Sequence, residues 1–365
     1  MINESPLSSA PYTHTGNSVQ RTMLLVILAL MPATLLSLYL FGWPAIYLFT
    51  VTIVTVLTAE AVSLKIAGKP IRPFLTDGSA LITGWLLAMS LPPWAPWWIA
   101  VVGGLLAIVI GKHVFGGVGQ NLFNPAMVAR VALLISFPLE MTLFHNPAPL
   151  FSRHAPNWLE GLSITFGFAG DYDAVSSATP LGLIKTEIHS GQSLEAALGH
   201  TSSLWQISWG EAPGSLGETS ALLLLLGGLF LLYKKIITWH IPVAMLGALG
   251  LMAGIFHLIS PEQYLGPAHH LMSGAAILGA FFIATDLVTS PVSVRGQLLF
   301  GAGCGILVYV IRTWAGYPEG VAFAVMLMNA CTPLIDHYLK PRVYGRDRKG
   351  EPLNYATDDS AGTDP

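Results

Sequence analysis

Charge is scarce in this sequence. Asp, Glu, Lys and Arg together make up 10% of its 365 residues, against about a quarter in an ordinary soluble protein. A water-soluble fold of this size would expose far more ionised side chains, so the composition points to a bilayer. Cysteine is nearly absent as well. Cys304 and Cys331 stand apart inside apolar runs, which excludes a self-contained iron–sulfur cluster or structural zinc, since both need ligands clustered in the C-x-x-C manner. The two read as small packing residues, the alternative being a cluster shared with another protein of a complex. No basic cluster occurs outside the C-terminal tail and the net charge is -3, so nothing calls for a nucleic-acid partner. A dinucleotide fingerprint is missing too. Gly116-Gly-Val-Gly119 has the wrong spacing and no strand before it, and reads as a tight re-entrant turn.

What the chain does have is apolar sequence, at 53% of residues. A spanning helix needs about 20 mostly apolar residues, and runs such as 23–41 and 98–114 approach or reach that length. Interruptions by Pro, Gly, Trp and charge divide the chain into ten expected segments: 22–42, 44–64, 78–92, 97–114, 124–138, 219–233, 239–259, 270–286, 297–314 and 319–337. The third, fifth, eighth and tenth are short for a crossing. The polar head carries Glu4 and Arg21 and leads into a run too long for a secretory signal, so the first span is expected to be uncleaved.

Basic residues separate the two sides. Arg21, Lys65, Lys69, Arg72, Lys112, Lys234, Lys235, Arg295 and the tail fall on one side and hold most of the 17 Lys and Arg. The long loop opposite has acidic residues in excess over Arg153 and Lys185. By the positive-inside rule both termini are cytoplasmic. The expected organisation is a cytoplasmic head (1–21), a first five-helix unit (22–138), a periplasmic loop (139–218), a second five-helix unit (219–337) and a cytoplasmic tail (338–365). Trp43, Trp94, Trp97, Trp98, Trp239 and Trp314 fall at span ends, where indole rings anchor at the interface.

The halves resemble each other: residues 78–88 run parallel to 274–284, and Leu122-Phe-Asn-Pro lines up with Leu327-Met-Asn-Ala. A repeat of five spans must insert in opposite senses. The expected fold is therefore all-α and integral to the membrane, with about ten transmembrane helices in two inverted five-helix repeats, short or broken helices at matching places, and a urea-transporter-like layout. Within it, Arg130 sits mid-segment, where charge is costly unless it binds an anion or pins a neighbouring helix. Asp77 and Asp286 close the paired short segments, while Asn124 and Asn329 occupy matching positions. Such oxygens beside open helix ends suit Na+ or a proton relay, and equally suit plain helix capping. Gly250 and Gly254 form a G-x-x-x-G expected to bring two helices close. His269 and His270 read as interfacial padding.

The long loop carries Asp171-Tyr-Asp173-Ala-Val-Ser176-Ser177-Ala178-Thr179-Pro-Leu-Gly182, on composition an ordinary Ser/Thr-rich turn. Its pattern of Asp173, Ser176, Ser177, Ala178 and Thr179 resembles the motif read by the flavin transferase that esterifies FMN to threonine. The only departure is Ser177 where most relatives have Gly. With the segment pattern, the long loop, the repeat and the G-x-N-x-F-N-P-A stretch ending at Ala126, nearly the whole chain resembles the RnfD/NqrB family. The short head favours the RnfD branch.

The resemblance implies an FMN held by a phosphoester on Thr179, with Asp173, Ser176 and Ser177 completing the recognised motif. It implies partners as well: the other Rnf complex subunits (A, B, C, E and G), the flavin transferase for maturation, and membrane lipid. The family's second, noncovalent flavin and its quinone site carry over to no particular residue here. On this basis the chain is expected to relay electrons between ferredoxin- and NAD-handling partners in the bacterial inner membrane and to couple that flow to Na+ or H+ transport. It would not be catalytic alone. A flavin-free channel of urea-transporter-like fold is the competing expectation, and a purely structural assembly component is a third.

Overall fold

The computed structural model describes residues 18–153, 155–167, 176–317, 319–341 and 345, so Asp173 lies outside the described residues. Helix α1 (Val19–Ile66) is capped by Ser18, whose hydroxyl accepts from the Arg21 N–H at 3.1 Å. Its regular backbone breaks once, at Gly42, with φ 75° and ψ -157°. That combination is open essentially to glycine, so one residue separates the two apolar runs. Next come α2 (Ser79–Ser90), α3 (Trp97–Leu105), which continues as a π-helix over Leu106–His113, and α4 (Pro125–Ser136). Asn124 and Pro125 explain the start of α4: the Asn side chain accepts from the Ala126 and Met127 N–H groups, and proline at the first position presents no orphan donor.

The stretch expected as a loop is substantially helical. It contains Pro138–Thr142, Trp158–Phe166, α5 (Pro180–His189), Leu194–Gly199 and Leu204–Trp209. Strands β1 (Phe144–His145) and β2 (Ser176–Ser177) pair antiparallel and form the one ladder among the described residues. The second half comprises α6 (Ala221–Tyr233), α7 (His240–Ile259), α8 (Pro267–Met272), α9 (Ala276–Leu278, continuing as a π-helix over Gly279–Ile283), α10 (Val294–Trp314) and α11 (Val321–Tyr338). Between α8 and α9 the chain turns through Gly274 (φ 61°) and Ala275 (φ 51°), so the eighth segment is broken in its interior. The tenth is as short as expected, at 18 residues, but α11 runs through it without a break, correcting the expectation of an interrupted helix there.

Helices α1, α7 and α10 are long and apolar enough to cross a membrane. Their outer faces carry Leu28, Leu35, Val54, Leu251, Leu258 and Leu299, each more than half exposed. Apolar surface on that scale fits lipid and is unsuited to water. Inside, one apolar cluster runs from Leu30, Phe41 and Leu87 through Leu133 to Leu224, Met245 and Phe300, so both halves share a core.

The closest helix approach uses glycines not singled out in the sequence. On α10, a Cβ at Gly301 would stand 2.7 Å from the Ile241 carbonyl, and one at Gly305 would collide with the Met245 carbonyl. Gly301 and Gly305 thus form the G-x-x-x-G face that lets α10 lie against α7. The expected pair, Gly250 and Gly254, instead meets α8 at ordinary distances, 3.6 Å from Leu271 and 3.6 Å from Pro267. Gly305→Val is expected to cost about 1–3 kcal/mol through overpacking, visible as a lower melting temperature in detergent, while Gly250→Ala leaves it nearly unchanged.

Candidate functional site

Thr179 is the N-cap of α5. Its Oγ1 accepts the Gly182 N–H at 3.2 Å, its carbonyl accepts from Leu183 at 2.8 Å, and Pro180 follows at the first helical position. The residue is only 3% exposed. Upstream, β2 pairs Ser176 with His145 and Ser177 with Phe144. The His145 ring stacks on Trp94 at 4.4 Å, and the Trp94 indole donates to the Phe41 carbonyl at 3.2 Å, next to the Gly42 break. Burial holds the His145 imidazole below its ordinary pKa, so it stacks as a neutral ring. The segment Ser176–Thr179 is therefore a strand-to-helix elbow tied to the bundle, with a hydroxyl at the start of a helix. Helix N-termini favour anions because their N–H groups and dipole point outward. An esterified threonine oxygen keeps its lone pairs, so a phosphoester at Oγ1 fits this cap.

Helix α5 leads to a second feature. Leu181 packs on Gly274 in the broken segment, where a Cβ would stand 3.0 Å from Leu181 and 2.8 Å from Arg312. Arg312, 4% exposed, donates to the His270 carbonyl at 2.6 Å, the Ser273 carbonyl at 3.0 Å and the Gly274 carbonyl. One guanidinium thus satisfies the carbonyls freed where α8 stops, as non-helical backbone at membrane depth requires. Lys185 in turn donates to the Arg312 carbonyl at 2.9 Å and to the Ala315 carbonyl, placing a cation on the C-terminal end of α10. Burial lowers its pKa. A cavity of about 480 Å³ opens here between α5, Tyr264, His270, Arg312 and Trp314, within the size range of cofactor pockets. His270 is buried beside Tyr309, with ring centroids 5.2 Å apart, so it belongs to this clasp and not to an interfacial padding layer.

At another place between the halves, a cavity of about 100 Å³ is lined by Ser79, Thr83, Lys112, Asn121, Asn124, Thr285 and Asp286. Two of the expected ion-path residues, Asn124 and Asp286, meet there. Asp77 reaches it indirectly, accepting from the Ser79 N–H (2.7 Å) and hydroxyl (2.6 Å). Asp286 accepts from Thr289 at 3.1 Å and from the Val288 N–H at 3.4 Å. Asp77 thus meets the first N–H of α2, a capping contact, whereas Asp286 holds a turn that no helix directly follows. Arg130 and Asn329 are elsewhere. Arg130 donates to Glu319 at 3.0 Å and so takes the pinning role. Asn329 sits inside α11, fully buried, its amide without a hydrogen-bond partner among the described residues; it is not beside an open helix end, unlike Asn124.

The sequence reasoning missed Glu60. It is 1% exposed inside α1, with Lys112 Nζ at 2.9 Å from one carboxylate oxygen and His113 Nε2 at 3.0 Å from the other. The π-helical turn of Leu106–His113 places these two consecutive residues so that both reach Glu60. Lys112, expected at the cytoplasmic end of segment 97–114, is 3% exposed and also donates to Ser79 at 2.9 Å. The usable signal was an acidic residue in the middle of an apolar run. Lys112→Met is expected to lower the melting temperature, and Lys112→Met with Glu60→Leu to recover most of the loss, because a buried charge is costly chiefly when stripped of its partner.

Comparison with known proteins adds the last piece. Residues 6–345 match the family described as NQR2, RnfD, RnfE. The chain is 55% identical over 350 residues to the D subunit of the ion-translocating oxidoreductase complex of Halorhodospira halophila, covering 96% of this chain and 98% of that one. It is 52% identical to the protein of that name from Rhodobacter capsulatus over 303 residues, 83% and 84% of the two chains. Against its namesake from Escherichia coli (strain SE11) the identity is 44% over 355 residues, 94% and 99% of the two chains. With a match spanning nearly its full length and apolar helices long enough to cross a bilayer, the chain belongs to the NQR2, RnfD, RnfE family.

Proposed function

We propose that this chain is the RnfD-type membrane component of an ion-translocating oxidoreductase complex and carries FMN as a phosphoester on Thr179. The observation that carries the cofactor assignment is the position of Thr179. Its hydroxyl caps α5 at the end of a strand-to-helix elbow, and the sequence there resembles the flavinylation motif, with Ser177 in place of the usual Gly. Bound flavin supplies one- and two-electron chemistry. The chain's own residues do the holding. Helix α5 offers its N-terminus to the phosphate, the β1–β2 pair fixes the elbow, and Arg312 and Lys185 keep the adjoining break and helix end in place. The cavity of about 480 Å³ along α5 is lined by apolar and aromatic side chains together with Lys185, Arg312, Glu262 and uncharged polar groups, a mixture suited to a flat polar ring.

The complex name borne by the relatives supports the electron-transfer role, with reducing equivalents entering and leaving through the other Rnf proteins. The distribution of basic residues supports an inner-membrane orientation with both termini cytoplasmic. The repeat pairing of 78–88 with 274–284 supports two inverted units with a gated path between them, where Na+ or H+ would cross past Asn124 and Asp286. Moving one charge against the membrane potential costs about 2.3 kcal/mol per 100 mV, within the reach of a modest redox drop.

The test is in-gel flavin fluorescence of the denatured protein, co-expressed with the flavin transferase. A band that fluoresces after SDS supports the reading. A dark band beside a labelled control substrate overturns it in favour of a flavin-free channel.

A further inference from the structure

Glu60 has one basic partner more than its charge requires. Its carboxylate is 1% exposed, with Lys112 Nζ 2.9 Å from Oε1 and His113 Nε2 3.0 Å from Oε2. The ammonium alone neutralises it. The His113 contact is of another kind: Nε2 and Oε2 are both buried, and neither is in an aligned hydrogen bond. On a regular helix consecutive side chains point about 100° apart, so bringing both residues to one carboxylate takes the π-helical turn of Leu106–His113. Such turns are rare and gather at functional sites.

Lys112 continues the chain of contacts. Its Nζ donates to Ser79 Oγ at 2.9 Å, and that hydroxyl donates to Asp77 at 2.6 Å. Lys112 and Ser79 also line the cavity of about 100 Å³ that Asn124, Thr285 and Asp286 share, polar enough and large enough to hold several waters. Phe281 and Phe282 form another part of its wall, so both π-helical segments among the described residues meet there. Exposure grades the three basic and acidic side chains: 12% for His113, 3% for Lys112 and 1% for Glu60. The histidine end thus meets solvent, and the lysine end opens on the cavity.

Few other charged groups surround this triad. Asp77 precedes α2 and reaches Lys112 through Ser79. Lys65 stands in the last turn of α1, and Lys69 beyond it donates to the Gly116 carbonyl at 2.9 Å. Arg21 opens α1 beside Thr22, which lines the cavity. Helix α4 begins after Asn124 and carries no charge before Arg130, which is held by Glu319. Asp286 lines the cavity from the second half. Among the described residues Glu60 is therefore the one carboxylate in direct contact with the Lys112 ammonium.

We propose that His113, Glu60 and Lys112 form a relay that delivers H+ into the cavity of Asn124 and Asp286. The imidazole takes a proton from water and passes its Nε2 proton to Glu60 Oε2. Glu60, now neutral, leaves the Lys112 ammonium buried without a counter-charge, which is a costly state. The ammonium therefore gives one proton to water in the cavity and recovers another from Glu60 across 2.9 Å. One proton enters at His113, one leaves at Lys112, and the three side chains end as they began. The relay rests on the translocation reading given above and narrows its ion to H+.

The experiment measures H+ uptake by inverted membrane vesicles holding the assembled complex, read with a pH-gradient dye during electron flow between ferredoxin and NAD. Lys112→Arg keeps a cation against Glu60, and a guanidinium cannot release its proton. Uptake in that variant is expected at background, with SDS-resistant flavin fluorescence and melting temperature near the parent's. If the larger arginine lowers the melting temperature, Lys112→Met with Glu60→Leu tests the same point in a neutral pair, and background uptake is again the expected result. His113→Ala is expected to slow uptake about 100-fold, and added imidazole to restore it, which a merely structural histidine would not allow. Parent-like uptake in any of these variants overturns the relay, and so does a His113→Ala loss that imidazole leaves unchanged. A parent gradient that resists a protonophore and collapses with a Na+ ionophore overturns it too. A parent that builds no ion gradient while electrons flow overturns the translocation reading itself.

Discussion

Replacing Arg312 with Met is expected to abolish accumulation of folded protein. The guanidinium is the donor for the carbonyls of His270, Ser273 and Gly274 in a buried break of the chain. Methionine fills much of the volume and satisfies none of them. Each buried polar group left unpaired costs about 1–3 kcal/mol, so three together approach the whole stability of a typical domain, about 5–15 kcal/mol. Arg312→Lys should rescue part of the loss, since an ammonium keeps the charge but lacks the planar fork that spans three acceptors. Size-exclusion profiles of detergent extracts, followed by melting curves, check the order parent, Lys, Met. A monodisperse Met variant melting with the parent would contradict this account of the break.

Replacing Thr179 with Val is expected to remove covalent flavin completely while leaving the fold intact. Valine matches threonine in shape and lacks the hydroxyl to be esterified. The structural cost is that of an N-cap, about 0.5–2 kcal/mol, too small to unfold the protein. Thr179→Ser keeps the cap, so comparing melting temperatures of the Val and Ser variants separates capping from attachment. Loss of SDS-resistant fluorescence in the Val variant with a normal melting profile is the expected outcome. Electron transfer through the assembled complex should fall to background in the same variant.

Much of the architecture was legible because bilayer chemistry writes coarse signals. Apolar runs, the break at Gly42 and the N-cap pair Asn124-Pro125 all coincide with helix starts and stops, since each depends on residues adjacent in sequence. What escaped depends on partners far apart in the chain. Nothing local to Arg312 announces that it closes a break 38 residues earlier, and nothing local to Arg130 announces Glu319. Glycine spacing was informative but ambiguous: Gly250 with Gly254 and Gly301 with Gly305 carry the same pattern, and only the packed structure separates the pair that touches backbone from the pair that meets side chains. Asn329 misled for a related reason. Its sequence neighbourhood matches that of Asn124, yet without a following proline to start a helix it lies mid-way along α11. Lys112 was counted to the cytoplasmic side because basic residues near helix ends usually face that interface, whereas a π-helical turn carries it inward to Glu60.

The candidate site divides the same way. The threonine motif was legible as a linear pattern, and its placement at the start of α5 follows from Thr179-Pro180, a cap followed by a residue that suits the first helical position. The clasp beside it, built from Leu181, Lys185, His270, Gly274 and Arg312, was not legible, because its members come from three separate stretches of chain.

The most direct measurement is mass spectrometry of proteolytic peptides from the native protein, purified from cells that express the flavin transferase. The account predicts that the peptide containing Thr179 carries the added mass of FMN less one water, with fragment ions placing it on that threonine. An unmodified Thr179 peptide as the main species, from protein that still supports electron transfer in its complex, would contradict it.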